Sequence, residues 1–427
     1  MNELITHAAL RAAAEQAAGA DEEFACLVSA RGHVELGRRS LLARGLTLEW
    51  SAPAALTDVA VTINALRAAA KAAFARGAKG LLVLVTHEAA ACFDRIPVHD
   101  DWHGLPKIQL WSASTVMRTA GGEASGSWGS PQHLVPLVPQ APLAAADLKA
   151  WHAEAVARIH DAIAAGRLYQ LCLTFPVRFA PPKDSAAIFA ALVSRHPVDH
   201  AAWIKLPQFE LLSASPERFL AVRGGEVTLR PMKGTRRLKS LPAPMSTASD
   251  SDAVRQHEAE VQKVLLELSA SVKDRAENVM ITDLARNDLG RVCRAGSVRV
   301  DSLFEVERYA SVAQMTSTVR GELRAGLDVW DALAAAFPPG SMTGAPKIEA
   351  CRMIRELEQG PRGLYGGVLG WIEPNGDAEF SVVIRSLQSR AGEARWDIGG
   401  GIVHDSQSES EWDEAWAKFG AVRALVQ

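Results

Sequence analysis

The first side chain whose setting suggests reactivity is Lys233, in Pro231-Met-Lys-Gly-Thr-Arg236, held between a proline and a glycine and followed by a hydroxyl and two arginines. Burial or a neighbouring cation lowers a lysine's pKa and frees the lone pair that a nucleophilic amine needs. The ordinary alternative is a turn lysine in solvent. Glu217, in Ser215-Pro-Glu-Arg218, could be a general acid or base, or simply an ion-pair partner of Arg218 or Lys233. Asp274 and Glu277 are three apart in a helical pattern that runs from Val254 to Asp288, so they share one face. Glu411 and Glu414 repeat that spacing, with Lys418 four further on, in a final helix that Ser408-Glu-Ser-Glu411 would open as a capping box. Two such carboxylate pairs suit Mg²⁺ beside an oxyanionic substrate, although acids at this spacing are also common on solvated helix faces.

Three further features concern anions. Phe380 to Leu387 reads as a buried strand carrying Arg385, and a buried guanidinium needs an anion, either a structural carboxylate or a substrate carboxylate. Gly399-Gly400-Gly401 follows a short strand and could offer backbone N–H groups to an anion. It is not a dinucleotide fingerprint, because GxGxxG would need glycine where His404 stands. Pro339 to Lys347 leads into a helix with Ile348, Cys351, Ile354 and Leu357 on one side; its first turn either favours an anion or is only a tight loop.

The elements that must position these groups are partly readable. FLAV and EVTL flank Gly224-Gly225, a pair that supplies the positive φ of a tight hairpin turn. A turn centred there sets Glu217 opposite Met232 and diagonal to Lys233, so the acid and the amine meet. Asp147 can cap a helix over Leu148, Trp151, Ala155, Ile159 and Ile163 that Gly166 ends, and a strand follows from Leu168 to Phe175. Earlier, a helical pattern from Ile63 to Ala75 precedes a strand from Gly80 to Val85, and this part holds no cluster of reactive groups. The Gly-, Ser- and Pro-rich stretch 121–142 reads as a connection, which divides the chain into an N-terminal region, 1–142, and a catalytic region, 143–427.

Composition sets the outer bounds. The 427 residues are 48% hydrophobic and 22% charged, the balance of a folded globular chain. Forty-six Lys and Arg against 49 Asp and Glu give a net charge of −3 without like-charge blocks, so neither nucleic acid nor an anionic membrane is an expected partner. The Met1–Gly19 stretch is interrupted by charges, unlike an export signal, and Leu81 to Val85 is far short of the ~20 residues a membrane-spanning helix needs. Five scattered cysteines (Cys26, Cys92, Cys172, Cys293, Cys351) with no CxxC pair fit a reducing, cytoplasmic setting.

Taken together, the wording and order of the motifs resemble the chorismate-utilising enzymes, which comprise anthranilate, aminodeoxychorismate, isochorismate and salicylate synthases. The resemblance covers roughly Asp147 to Val426. It rests on YQLCLTF (169–175), SASPERF (213–219), PMKGTR (231–236), KDRAENVMITDLARNDLGRV (273–292), GSMTGAPK (340–347), GLYGGVLGW (363–371), IGGGIVHDS (398–406) and SEWDEAWAK (410–418). It implies an α+β fold like that of anthranilate synthase component I, with two packed, mainly antiparallel sheets flanked by helices.

The resemblance also implies roles. Lys233 stands where the aminodeoxychorismate synthase branch carries a lysine and anthranilate synthases typically carry alanine; its amine would attack C2 of chorismate with loss of the C4 hydroxyl, and ammonia would then attack C4. Glu217 would be the acid or base beside that hydroxyl, and Gln170 occupies the place of the base lysine of water-using relatives. Glu277 and Glu414 match Mg²⁺ ligands, with Asp274 and Glu411 close by. Gly234, Thr235, Tyr365, Arg385, Gly399, Gly400, Gly401 and Lys418 would hold the substrate.

Some positions depart from the pattern. Cys172 replaces the usual asparagine, and Gln314 replaces a histidine of anthranilate synthases. Asp199-His200-Ala201 replaces the segment with which relatives bind tryptophan. No glutamine amidotransferase motif is present, so ammonia would come from a separate glutaminase subunit or from solution. Anthranilate synthase component I, an aminodeoxyisochorismate-forming relative and a non-catalytic chorismate-binding relative are the alternatives.

Overall fold

A computed structural model describes residues 4–29, 40–53, 55–94, 96–119, 135–141, 146–207, 209–238, 250–309 and 312–426. The boundary expected at 142 and most of the connection before it lie outside these residues. The fold is α+β: among the described residues eighteen strands form one hydrogen-bonded run, with every ladder antiparallel except the short pairing of Leu4–Ile5 with Ile108–Thr119.

The run closes over itself in two layers. Cys172, from the Gln170–Phe179 strand near one end, shares an apolar cluster with Phe219, Leu220 and Val382 from strands toward the other end. Gly80–Val85 (GLLVLV) is buried along its whole length because it pairs with Ile108–Thr119 on one side and Val368–Ile372 on the other. Strands from before and after residue 142 therefore belong to one sheet.

The glycine hairpin forms as the sequence implies. Val227 pairs with Val222 and Leu229 with Leu220, and both turn glycines have positive φ, 53° and 86°. Beyond Arg230 and Pro231 the chain enters the Met232–Arg237 strand, which drops the Arg218–Arg223 partner and keeps the Val312–Glu322 strand that Glu226–Leu229 already pairs with.

Elsewhere the local reading needed correction. The helical pattern from Val254 to Asp288 is two helices, Asp250–Ala270 and Val272–Gly290, because Ser271 turns extended and its hydroxyl caps the second helix at the Asp274 N–H. The Ser408-to-Glu411 capping box does not form: Ser408–Arg423 starts after Gln407, and the Glu411 carboxylate instead accepts a hydrogen bond from Ser406 at 2.6 Å. Asp147 lies inside the first turn of Ala146–Ala164. Ile348 is exposed on the Lys347–Leu357 helix, while Cys351, Ile354 and Leu357 are buried. Lys347 itself is an internal strut, its amine bonded to Asp288 at 3.0 Å and to the Ala336 carbonyl, which favours the tight-loop reading of that segment.

Candidate active site

The strand bearing Lys233 lies beneath the Val272–Gly290 helix, and the Ser408–Arg423 helix lies across the Glu393–Ile402 strand. Between them is a pocket of about 250 Å³. Every candidate catalytic, substrate-binding and metal-ligating residue named from the sequence lines it except Gln170, which is fully buried just behind.

Glu217 sits at the floor. Its carboxylate accepts hydrogen bonds from the Ser341 hydroxyl at 2.7 Å and from the Met232 backbone N–H, the neighbour that the hairpin arithmetic placed opposite it. Burial pushes its pKa up to about 7, against the opposing pull of Ser341, Lys233 and Arg385. A carboxyl poised there can give or take a proton near neutrality.

The Lys233 amine is largely shielded and lies 4.0 Å from Glu277. A Cβ placed on Gly401 would stand 2.7 Å from that amine and 2.9 Å from the Gln170 amide nitrogen. Gly401 thus makes the space in which Lys233 and Gln170 face each other. Neither polar atom of the Gln170 carboxamide has a hydrogen-bond partner among the described residues, an arrangement that costs about 1–3 kcal/mol unless a ligand satisfies it. Gly234, with φ of 84°, lets the strand pass within contact of Asp274.

The acids lie on two helices that face one another. Burial raises the Glu277 pKa, and Asp274 and Glu414 repel its charge further. Lys418, 2.9 Å away, holds the Glu414 pKa below its ordinary value. Asp274 is paired with Arg236 at 2.5 Å, and Lys273 stands 3.9 Å from both Glu277 and Glu411. No group of three or more metal-ligating side chains is drawn together among the described residues. Mg²⁺ needs only one or two carboxylates beside water and substrate oxygens, and the mutual repulsion on Glu277 is what a cation would relieve.

Arg385 and the glycine run correct the sequence reading. Arg385 is in no strand: Ala378–Val382 ends before it, Ser386–Arg390 begins after it, and it takes a positive φ of 51° in the break. Arg385 is half-buried, desolvation lowers its pKa, and no described carboxylate pairs with it. Gly399–Gly401 lie inside the Glu393–Ile402 strand, not after one. On one edge they pair with Thr174, Leu173 and Cys172; on the other edge the ladder stops at Trp396. The Cys172 and Thr174 N–H groups bond away from this strand, to Thr343 and Glu358. By antiparallel alternation Gly401 and Gly399 therefore turn their own N–H and C=O to the unpaired edge, where Lys418 already bonds the Gly399 carbonyl at 2.8 Å.

Arg362 had no signal in spacing or composition. It is 1% exposed, donates to both oxygens of Glu358, and reaches the carbonyls of Met342 (2.6 Å) and Cys172 (2.8 Å). Gly344–Ala345 pairs with the strand edge only at Gln170 and Leu171. Beyond that point the Arg362–Glu358 pair serves as the missing strand partner, accepting from Thr174 and donating to Cys172.

A family model described as chorismate binding enzyme matches residues 60–424. The chain belongs to the chorismate binding enzyme family. It is 37% identical over 341 residues to aminodeoxychorismate synthase of Streptomyces pristinaespiralis, covering 76% of this chain and 45% of the relative. It is 36% identical over 273 residues to aminodeoxychorismate synthase component 1 of Bacillus subtilis, with 64% and 55% covered. Anthranilate synthase component 1 of Mycolicibacterium smegmatis is 36% identical over 277 residues, with 64% and 50% covered. The chain spans about half the length of these curated relatives. The fold is shared with anthranilate synthase component I from Streptococcus pneumoniae, with a TM-score of 0.65, 24% identity and 81% of each chain covered.

Of the positions that depart from the family pattern, Cys172 and Gln314 face the pocket, whereas Asp199-His200-Ala201 is buried outside its lining. Cys172 lines it, and Gln314 donates to the Thr235 hydroxyl at 3.4 Å. Ser341 and Lys273 also line it and were not singled out from sequence; Ser341 sits inside a quoted motif, but nothing in the motif's spacing aims it at Glu217.

Proposed function

We propose that this chain is the synthase component of an aminodeoxychorismate synthase, converting chorismate and ammonia to 4-amino-4-deoxychorismate for 4-aminobenzoate and folate synthesis. The observation that carries the reading is the Lys233 amine, enclosed in the pocket opposite Gln170, with Glu217 on the floor. Relatives bearing that name support it. Lys233 forms a bond to C2 of chorismate while Glu217 gives its proton to the C4 hydroxyl, which departs as water. Ammonia then bonds to C4 and the electron pair of the C2–N bond returns to Lys233. Gln170 offers no base for water, so hydrolysis is not favoured over amination.

Arg385, Thr235, Lys418 and the open edge at Gly399–Gly401 bind the two carboxylates of chorismate, and Tyr365 packs beside them. Arg385 supplies the unpaired cation that a buried carboxylate requires. Glu277 and Glu414 would hold Mg²⁺, with Asp274 and Glu411 orienting them. The metal would offset the charge of the ring carboxylate. A separate glutamine amidotransferase subunit supplies ammonia, in keeping with a relative named as component 1.

The test is intact-protein mass spectrometry with chorismate and Mg²⁺ but no ammonia. Wild type gains the mass of chorismate less water, Lys233→Ala gains nothing, and added ammonia discharges the adduct to 4-amino-4-deoxychorismate. Anthranilate as product, or a Lys233→Ala variant that aminates at the wild-type rate, overturns the reading in favour of direct amination.

A further inference from the structure

Behind Glu217 lies a second cavity of about 30 Å³, room for a molecule the size of water or ammonia and far too small for a ring. Glu217 and Ser341 line both this cavity and the main pocket, so their 2.7 Å hydrogen bond is part of the partition between them. The walls on the far side are mainly apolar, formed by Phe219, Leu229, Pro231, Ile281, Leu284 and Ala285. The charged groups at the margin are engaged elsewhere: Arg218 with Glu379 at 2.9 Å, Asp288 with Lys347 at 3.0 Å, and Arg230 with Glu307. Glu217 is the one ionisable lining group without an ion-pair partner among the described residues.

A nucleophile that acts after the adduct has formed meets a main pocket already filled by the ring and its carboxylates. A space opening on the same carboxyl from behind avoids that obstruction. Its apolar walls admit a small neutral molecule at far lower desolvation cost than a cation.

We propose that this cavity is the subsite of the nitrogen nucleophile, neutral ammonia, which passes Glu217 to reach the reacting carbon. The inference rests on the ammonia-using reading above. The step balances. The adduct is a secondary ammonium on Lys233, and ammonia forms the new C–N bond as the C2–N bond breaks, releasing Lys233 as a neutral amine. The product's extra proton passes to the Glu217 carboxylate, restoring the acid it spent on the departing hydroxyl.

Two substitutions narrow the cavity without touching the main pocket. Ala285→Leu fills it from the helix. Gly340→Ala is milder: its Cβ would press within 2.5 Å of the flexible end of Leu284. In each variant the rate of Lys233 adduct formation without ammonia and the KM for free ammonia at fixed pH are measured. Adduct formation within about twofold of wild type and an ammonia KM raised about tenfold are expected. An unchanged ammonia KM in both variants overturns the subsite. Slowed adduct formation with unchanged ammonia KM also overturns it, and assigns the cavity to the departing water instead. If wild type forms no adduct, the parent reading fails and this one with it; adduct with unaltered ammonia KM sinks this one alone.

Discussion

At the scale of single residues, the site depends on what glycine leaves out. Gly401→Ala would put a methyl group against the Lys233 amine and the Gln170 amide. Its φ is ordinary, so the backbone tolerates alanine. The expected result is a Tm close to wild type with adduct formation slowed by about 100-fold, since the proposed nucleophile, once displaced, would lose its attack geometry. Glu217 makes a pH prediction with a definite sign. Its pKa rises from 4.5 to about 7 in the folded chain, so the folded state holds this proton more tightly than the unfolded one. The associated stability is fully present below pH 4.5 and is lost as pH rises through about 7. Urea titrations should show that loss, and Glu217→Gln should remove part of it; Glu88, also raised to about 7 by burial, accounts for another part. Adduct formation in wild type should likewise fall above pH 7, when Glu217 has no proton to give.

At the scale of elements, the Arg362–Glu358 pair does the work of a strand edge. Arg362→Met should cost about 3–5 kcal/mol, because Glu358 is left buried and unpaired. Adding Glu358→Leu should restore part of that stability in thermal melts while kcat stays depressed, since Cys172, Met342 and Thr174 remain without their partners. Recovery of both together would show the pair to be only packing.

This pair also marks where sequence reasoning ends. The hairpin at Gly224-Gly225 was legible because two glycines fix a turn and the turn fixes the register, which brings Glu217 to Met232 with no knowledge of the rest. The facing carboxylates were legible one pair at a time, since helical spacing is local. Their meeting in one pocket was not, and the break at Ser271 was hidden because the apolar periodicity continues through it. The position of Arg385 was misread for a similar reason: FSVVIRSL has the composition of an uninterrupted strand, and only the surrounding sheet dictates the bend within it. Arg362 acts on the backbone of residues nearly two hundred positions away, a relation that no spacing encodes.

At the scale of the whole molecule, the region before residue 142 is part of the scaffold of the site. Gly80–Val85 covers the edge of Val368–Ile372, Arg67 bonds Asp328 at 2.7 Å, and Glu88 accepts the Arg362 N–H at 2.8 Å. A chain of residues 143–427 should therefore lack a cooperative thermal transition and bind a hydrophobic dye, because removal strips five strands from the sheet and opens the apolar clusters around them. A sharp melt from that fragment would contradict this.

The continuous strand order has a consequence during synthesis. Gly80–Val85 is made early, yet the strand that lies beside it, Val368–Ile372, leaves the ribosome roughly 15–60 s later at about 5–20 residues per second. Phe24–Val28 likewise waits for His200–Leu206. For that interval a fully apolar strand has one side unclaimed and open to pairing with other chains, so slowing translation should lower the soluble yield.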